Sequence, residues 1–153
     1  MVTAARSSRI ADAPRTLWRA LRILVLLACS LAGTLQAQEI RDPANRLLAR
    51  VDTGGHIVSP RNTAIGRFEA DGGVWTPNNR KLGSIDETGR VTDAMNMTLG
   101  RIARDGRVYT SRNVLLGTVH EDGRITDAAN RLLARTRGVR VRWAAAFWFF
   151  FFH

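Results

Sequence analysis

Arginine is the one residue type with binding chemistry that recurs at fixed positions in this chain. Arg67 and Arg101 occupy one position of a recurring motif, and Arg90, Arg107 and Arg124 occupy another. A guanidinium group donates paired hydrogen bonds to carboxylate, sulfate and phosphate groups. If the motif formed a ring, these side chains would make partial belts able to bind an anionic glycan or lipid of the cell envelope. The alternative, which we favour, is a solvated face.

Residues for acid–base, nucleophilic or metal chemistry do not recur in this way. His56, His120 and His153 lie in non-equivalent places, whereas metal sites use closely and regularly spaced ligands. Most acidic residues stand where tight turns are expected, and turn chemistry accounts for them. No serine has a histidine at a repeating offset, and too few aromatic residues alternate with the arginines for nucleic-acid binding. We therefore expect no catalytic residues, no metal, no cofactor and no enzyme activity.

The arginines belong to a repeat of 17 residues that runs without a gap from Ile40. The segment "LGRIARDGRVYTSRN" starts at Leu99, and its near-copy "LGTVHEDGRITDAAN" starts at Leu116. Such self-similarity is the sequence signature of a repeat architecture. An aliphatic column consists of Ile40, Ile57, Val74, Val91, Val108 and Ile125, and an asparagine column consists of Asn45, Asn62, Asn79, Asn96, Asn113 and Asn130.

Each repeat contains two chain reversals. In "SPRN", proline presets the φ angle of a type I turn, and Asn62 is suited to a left-handed conformation. In "HEDG", a three-residue loop ending in left-handed glycine would place Val119 opposite Ile125. A two-residue loop would instead pair Val119 with Thr126. We favour the first, because it brings two aliphatic columns together across the hairpin.

These signals predict an all-β array, since no part of the repeat has a sustained helical period. Each repeat would hold two strands of about five residues, and a lone hairpin is only marginally stable in water. Closure into a ring would remove the exposed strand edges. Five glycine-ended hairpins lie between Leu48 and Asp127, and half-units at Ile40–Asn45 and Leu133–Thr136 flank them. If the ring closes, these two ends should meet.

Residues 1–37 are predicted to be a secretory signal peptide. Five arginines precede the apolar run "ILVLLACSLAG", and small residues lead to cleavage after Ala37. The apolar run is too short to span a bilayer, which takes about 20 residues. The alternative is a lipid anchor at Cys29, since "LLAC" resembles a bacterial lipobox. Either way we expect export to the periplasm or the medium, and a mature chain cut after Ala37 would contain no cysteine for disulfides.

The formal net charge of +10 falls to about +6 without residues 1–37, which hold five arginines and one acid. All remaining cations except Lys81 are arginines. A charge of this size predicts weak attraction to polyanions, without a specific nucleic-acid partner.

The repeats and the C-terminal sequence together resemble the five-fold beta-flower proteins, a family of small exported bacterial proteins. The matching stretches are "LGSIDETGRVTDAMN", the two segments quoted above and the ending "WAAAFWFFFFH". The resemblance implies five β-hairpin petals around a pseudo-five-fold axis in residues 38–137, followed by a C-terminal tail, residues 138–153. Ala49 and Ala134 replace glycine in the outermost units. The family brings no established activity.

The C-terminal tail holds ten consecutive apolar residues after "RTRGVRVR". Burial of each large aromatic side chain contributes about 2 kcal/mol, so some surface should cover them. They could fold back as a strand or short helix against the hairpins, form an interface between copies, or insert into a membrane interface beside the arginines. The side chains concerned are Trp143, Phe147, Trp148, Phe149, Phe150, Phe151 and Phe152.

Three functions follow as hypotheses from these patterns. The leading one is a non-enzymatic exported structural or interaction module, whose tail mediates packing or assembly. The second is a binder of anionic envelope glycans or lipids through the arginine belts, and the third is an enzyme with an unrecognised site. No clustered nucleophile, base or metal ligand favours the third.

Overall fold

The computed structural model describes residues 38–152 as twelve antiparallel strands followed by a short helical segment. The predicted signal peptide, Cys29 and His153 lie outside the described residues. The strands are β1 (Gln38–Arg41), β2 (Leu47–Val51), β3 (His56–Val58), β4 (Ala64–Phe68), β5 (Gly73–Trp75), β6 (Lys81–Ile85), β7 (Arg90–Asp93), β8 (Thr98–Ile102), β9 (Arg107–Thr110), β10 (Leu115–Val119), β11 (Arg124–Asp127) and β12 (Leu132–Arg137); the helix α1 (Val141–Ala146) continues into a π-helical turn (Phe147–Phe151).

The strands close into a single antiparallel barrel. Each strand pairs with its neighbours along the chain, and β1 also pairs with β12, where Ile40 lies opposite Thr136. The predicted all-β class, the closure and the meeting of the two ends are therefore confirmed. Because consecutive strands are antiparallel, the asparagine turns all lie at one end of the barrel and the glycine hairpin loops at the other. We call these the asparagine end and the glycine end.

The five glycine hairpins have the register that a three-residue loop predicts. Val119 lies opposite Ile125, and the four other loops repeat this pairing. Thr136 and Ile40 have the same relation across the β12–β1 pair. The barrel thus contains six equivalent strand pairs, of which five are continuous hairpins. Strand pairing alone does not establish a five-fold axis, because the sixth pair repeats the register of the others.

Both kinds of turn contain the same backbone hydrogen bond, from the N–H of the fourth residue to the carbonyl of the first. They differ in the residue that takes the left-handed conformation. The N–H of Asn62 donates to the carbonyl of Ser59, and the N–H of Gly72 donates to that of Glu69, each at 3.0 Å. The six asparagines have φ angles of 59–65° and are exposed, which confirms their predicted conformation. A Cβ atom at Gly72 would clash with the carbonyl oxygen of Ile85 in the next hairpin. The next hairpin therefore comes so close that only glycine fits at this position. At the other end the turn residue faces solvent, so an asparagine side chain fits.

Substitution of Asn130 tests this account of the asparagine turns. Asn130 has a φ angle of 65° and is exposed. Asn130→Val should lower the free energy of unfolding by about 1–2 kcal/mol, the cost of placing a residue with a branched Cβ in the left-handed region. Asn130→Gly should leave it nearly unchanged. Urea denaturation of the two variants checks this, and equal stability would show that the backbone conformation imposes no cost.

A β-bulge, which the repeat pattern does not predict, follows every asparagine turn. Val74 lies opposite Gly83 but Trp75 lies opposite Lys81, which leaves Leu82 as the extra residue. Bulges re-aim side chains, and the bulged residues are half-buried and contact the core. They form one aliphatic column: Leu48, Ile65, Leu82, Leu99, Leu116 and Leu133.

Candidate functional site

The C-terminal tail enters the barrel from the glycine end. After β12 the chain turns at Gly138, and Arg142 donates to the carbonyl oxygens of Asp86 and Glu87 in a glycine hairpin loop, at 3.4 and 2.8 Å. Trp143 lies against Gly55 in another such loop, 3.3 Å from the position of a Cβ built on that glycine. From this entry α1 and the π-helical turn run toward the asparagine end.

The tail fills the barrel interior rather than lying on its surface. Residues 144–146 are three alanines with no exposed surface, and Trp143 and Phe147 are only 8% and 4% exposed. Trp143 stacks on Phe68 of β4 with ring centroids 5.5 Å apart. In a closed barrel the buried face of the strands surrounds the axis, so α1 occupies the space where other small barrels hold side chains or a ligand.

Successive phenylalanines of the tail lie against successive members of the glycine column. The backbone N–H of Phe152 donates to the carbonyl oxygen of Phe147 at 3.1 Å. Such a bond joins residues five apart, as in a π-helix. A Cβ atom on these glycines would lie 2.7–2.9 Å from the facing ring. The pairs are Phe149 with Gly117, Phe150 with Gly100, Phe151 with Gly83, and Phe152 with Gly66.

Among the alternatives for the tail, the structure shows a short helix packed against the hairpins. Trp143 and Phe147 are buried in the core. Trp148 and the phenylalanines at positions 149–152 contact the core but are only half-buried, at the asparagine end. Because these side chains are only half-buried, their exposed faces are available for contact with a partner or a membrane.

The first pair of predicted belt arginines is held by neighbouring side chains. The guanidinium of Arg67 bonds Glu69 at 3.0 Å and stacks over Trp75 at 5.3 Å. Arg101 stacks over Tyr109 at 4.9 Å. Each also donates to the side-chain oxygen of an asparagine twelve residues later, Asn79 and Asn113 respectively. Each arginine is therefore hydrogen-bonded to the asparagine turn that follows its own hairpin.

The other three predicted belt arginines form ion pairs with acids of their own loops. Their side chains are 49–60% exposed. Exposed pairs of this kind contribute about 0–1 kcal/mol, so an external anion could compete with them. The pairs are Arg90 with Asp86 at 3.2 Å, Arg107 with Asp105 at 3.6 Å, and Arg124 with Asp122 at 2.7 Å.

A row of three arginines crosses the strands where the barrel closes. Arg124 of β11 lies opposite Arg135 of β12, and Arg135 lies opposite Arg41 of β1. Like charges directly opposite on neighbouring strands are destabilising. Arg41 bonds Glu39 at 2.9 Å, whereas Arg135 is exposed and forms no ion pair within residues 38–152. The row lines a cleft of about 540 Å³, whose lining also includes Arg137 and the acids Glu39, Glu121 and Asp122. Arg135 could have been predicted, since it stands two repeats after Arg101 in the column of Arg67 and Arg101. Arg41 could not, because only closure of the barrel brings it beside β12.

Carboxylates in the turns are held ionised by the backbone. The N–H of Arg46 donates to Asp42 and is the largest influence lowering the pKa of that carboxyl below its ordinary value. Arg131 does the same to Asp127, and Arg124 lowers the pKa of Asp122. These carboxylates are ionised and accept hydrogen bonds from the turn backbone. The geometry therefore does not favour a general acid among them.

These shifts predict a loss of stability in acid. A lowered pKa in the folded state contributes stability that is present above the ordinary aspartate value of 3.8 and is lost as the pH falls through the lowered value. The melting temperature should therefore fall as the pH is lowered from 5 to 2. A variant with Asp42→Asn and Asp127→Asn should show a smaller fall, as measured by circular dichroism. An equal fall in both proteins would contradict the assignment to these two residues.

The histidines are not brought together. His56 lies 2.9 Å from Asp52, and His120 lies 3.0 Å from the hydroxyl of Thr126. Within residues 38–152 no group of three histidine, cysteine or acidic side chains could hold a metal ion. Among the described helices, none has the length and apolarity needed to cross a membrane.

Comparison with known protein families gives a match over most of the chain. Residues 37–152 match a family model described as 5-fold beta-flower protein. No curated protein and no solved structure matches the chain.

Proposed function

Because the chain belongs to the 5-fold beta-flower family, we propose that it is a non-enzymatic exported module with a structural or interaction role. In this proposal the five continuous hairpins are the petals of the family's pseudo-five-fold arrangement, and the β1–β12 pair closes the ring. Export rests on the signal-peptide features of residues 1–37.

The observation that carries the proposal is the filled barrel interior. Small barrels that act on or carry a small molecule keep room for it around the axis. Here residues 144–146 have no exposed surface, and four phenylalanine rings contact the glycine column. Both ends of the barrel remain as outer surfaces for contact with partners.

An activity screen of the protein recovered from the exported fraction of a host tests the proposal. Ester, glycoside, phosphate and peptide substrates cover the common hydrolytic reactions. We expect no turnover above that of a heat-denatured control. Turnover that disappears on substitution of a single side chain, with the fold intact, would overturn the proposal. Retention of the protein in the cytoplasm would overturn the exported part of it.

A second candidate function is binding of an anionic envelope glycan or lipid through arginines. The arginine row at the closing strands favours it, because Arg135 lies between Arg124 and Arg41 beside an open cleft. Titration with heparin tests this candidate, with Arg135→Ala as the main variant and Arg90→Ala/Arg107→Ala/Arg124→Ala testing the predicted belt. Exposed Arg104 at the glycine end supplies the control, Arg104→Ala. Binding that is insensitive to salt, or equal in all four proteins, would exclude it.

A further inference from the structure

The two ends of the barrel differ in charge. The asparagine turns carry Arg46, Arg61, Arg80, Arg112 and Arg131, with Lys81 one residue further on, against Asp42, Asp93 and Asp127. The glycine hairpin loops carry Asp52, Glu69, Asp71, Asp86, Glu87, Asp105, Glu121 and Asp122. The glycine loops and the residues that directly follow them also carry Arg90, Arg104, Arg107 and Arg124, and the chain that enters at this end adds Arg137, Arg140 and Arg142. Cations therefore exceed acids at the asparagine end, whereas the two nearly balance at the glycine end.

Four cations at the asparagine end are free to meet an external anion. Arg46 and Arg131 are paired with Asp42 and Asp127 in their own turns. The four others are exposed and take part in no ion pair within the described part of the chain: Arg61, Arg80, Lys81 and Arg112.

Exposed apolar side chains lie at the same end. Met95, Met97 and Val114 are 81%, 66% and 60% exposed, and they are the large exposed hydrophobic side chains of residues 38–152. Met95 and Met97 belong to one asparagine turn and Val114 to the next, so the three are neighbours on the rim. Arg80 belongs to the turn before that of Met95, and Arg112 belongs to the same turn as Val114.

The centre of this end is also apolar. The phenylalanine rings at positions 149–152 face glycines in the middle of their strands, and their half-buried state turns their open side, with that of Trp148, toward this end. The bulged aliphatic side chains lie one residue closer to this end than those glycines and contact the same core. An aromatic and aliphatic centre with cations around the rim is the surface composition of proteins that lie on a membrane interface.

We propose that the asparagine end docks on the surface of an anionic lipid bilayer. Arg61, Arg80, Lys81 and Arg112 would contact lipid phosphates, and Met95, Met97 and Val114 would enter the interface between headgroups and acyl chains. A second copy of the chain fits this end less well, because face-to-face contact would bring the two rims of unpaired cations together. The docking names the partner of the interaction module and so rests on the proposed function.

Vesicle binding of the exported protein tests the docking. The vesicles contain either phosphatidylcholine alone or equal parts of phosphatidylcholine and phosphatidylglycerol. We expect binding to the mixed vesicles only, weakening as salt screens the charges. The variant Arg80→Gln/Arg112→Gln should bind about thirtyfold more weakly, since each basic residue near an anionic surface contributes about fivefold in affinity.

A matched control removes the same number of charges from the other end. Arg104 and Arg137 are exposed and lie at the glycine end, and Arg104→Gln/Arg137→Gln gives the same net charge as the test variant. Because these sites are about one strand length, roughly 17 Å, from the asparagine end, screening should limit the change to about threefold. All proteins share the same N terminus, so any contribution from that segment is common to them.

Two further measurements separate membrane docking from simple attraction to polyanions. Met97→Gln should weaken vesicle binding about tenfold, because the apolar side chain no longer enters the interface, and should leave heparin binding unchanged. Vesicle binding that is equal in the test and control variants, or insensitive to Met97→Gln, would overturn the proposal. Such a failure leaves the non-enzymatic role standing, since that role depends on the activity screen.

Discussion

A chain that ends at Arg142 is expected to lose cooperative unfolding altogether, because it lacks the side chains that fill the barrel. Trp143 and Phe147 are nearly fully buried, and residues 144–146 are completely so. Loss of one large buried aromatic side chain typically costs about 3–5 kcal/mol. A domain is stable by only about 5–15 kcal/mol, so removal of the whole segment should exceed the available stability.

The measurement is thermal and urea denaturation followed by circular dichroism, together with binding of a hydrophobic dye. The control chain ends at Phe152 and lacks only His153, and it should unfold as the full chain does. The truncated chain should show no sigmoidal transition and should bind the dye. A truncated chain that melts at the same temperature as the control would show that the barrel holds together without its tail.

Gly83→Ala is expected to destabilise the protein by about 3 kcal/mol, at the upper end of the range for overpacked cores. A Cβ atom at Gly83 would clash with the carbonyl oxygen of Thr92 and would lie 2.9 Å from the ring of Phe151. Neither group can move easily, because Thr92 belongs to the paired strand β7 and the ring lies in the filled interior.

The control for Gly83→Ala is the reverse change in the same column of the repeat. Ala134 is fully buried at the equivalent position of β12. Ala134→Gly removes one methyl group and adds backbone freedom, which should cost about 1–2 kcal/mol. If Gly83→Ala were no more harmful than Ala134→Gly, close contact of the rings with the glycine column would not be what excludes a side chain there.

Much of the barrel follows from short-range chemistry that is visible in the repeat. Asparagine at the left-handed position of one turn and glycine at that of the other fix two reversals in every 17 residues. Loop length then fixes the register, so that Val119 lies opposite Ile125 as predicted. Closure of the ring is favoured because it covers strand edges, but the repeat alone leaves open whether the two half-units pair.

The bulges and the path of the tail could not be predicted from the repeat. A bulge adds one residue to one strand, and Leu82 has the same residue type whether or not it is bulged. The run of phenylalanines was compatible with a core segment, an interface or a membrane contact, because each of these buries aromatic surface. Only the contacts with Gly66, Gly83, Gly100 and Gly117 show that the rings pack inside the barrel, and their half-buried faces leave the other two contacts open.

The candidate binding surfaces also differ in whether the repeat predicts them. Arg67, Arg90, Arg101, Arg107 and Arg124 recur in the repeat, but hydrogen bonds, stacking or ion pairs with near neighbours hold each of them. The arginine row at the closing strands and the apolar rim beside unpaired cations depend on residues far apart along the chain. Arg124 and Arg135 do stand in arginine columns of the repeat, but comparison of the repeats does not place them beside Arg41, and the residues of the apolar rim do not recur.

The sequence by itself determined the β class, both turns and the hairpin register, because each depends on residue types within a few positions of one another. The tertiary structure alone decided that the tail runs through the barrel, that Arg135 lies between Arg124 and Arg41, and that the two ends differ in charge and polarity. These features depend on which distant residues become neighbours when the last strand pairs with the first, and no local preference encodes that.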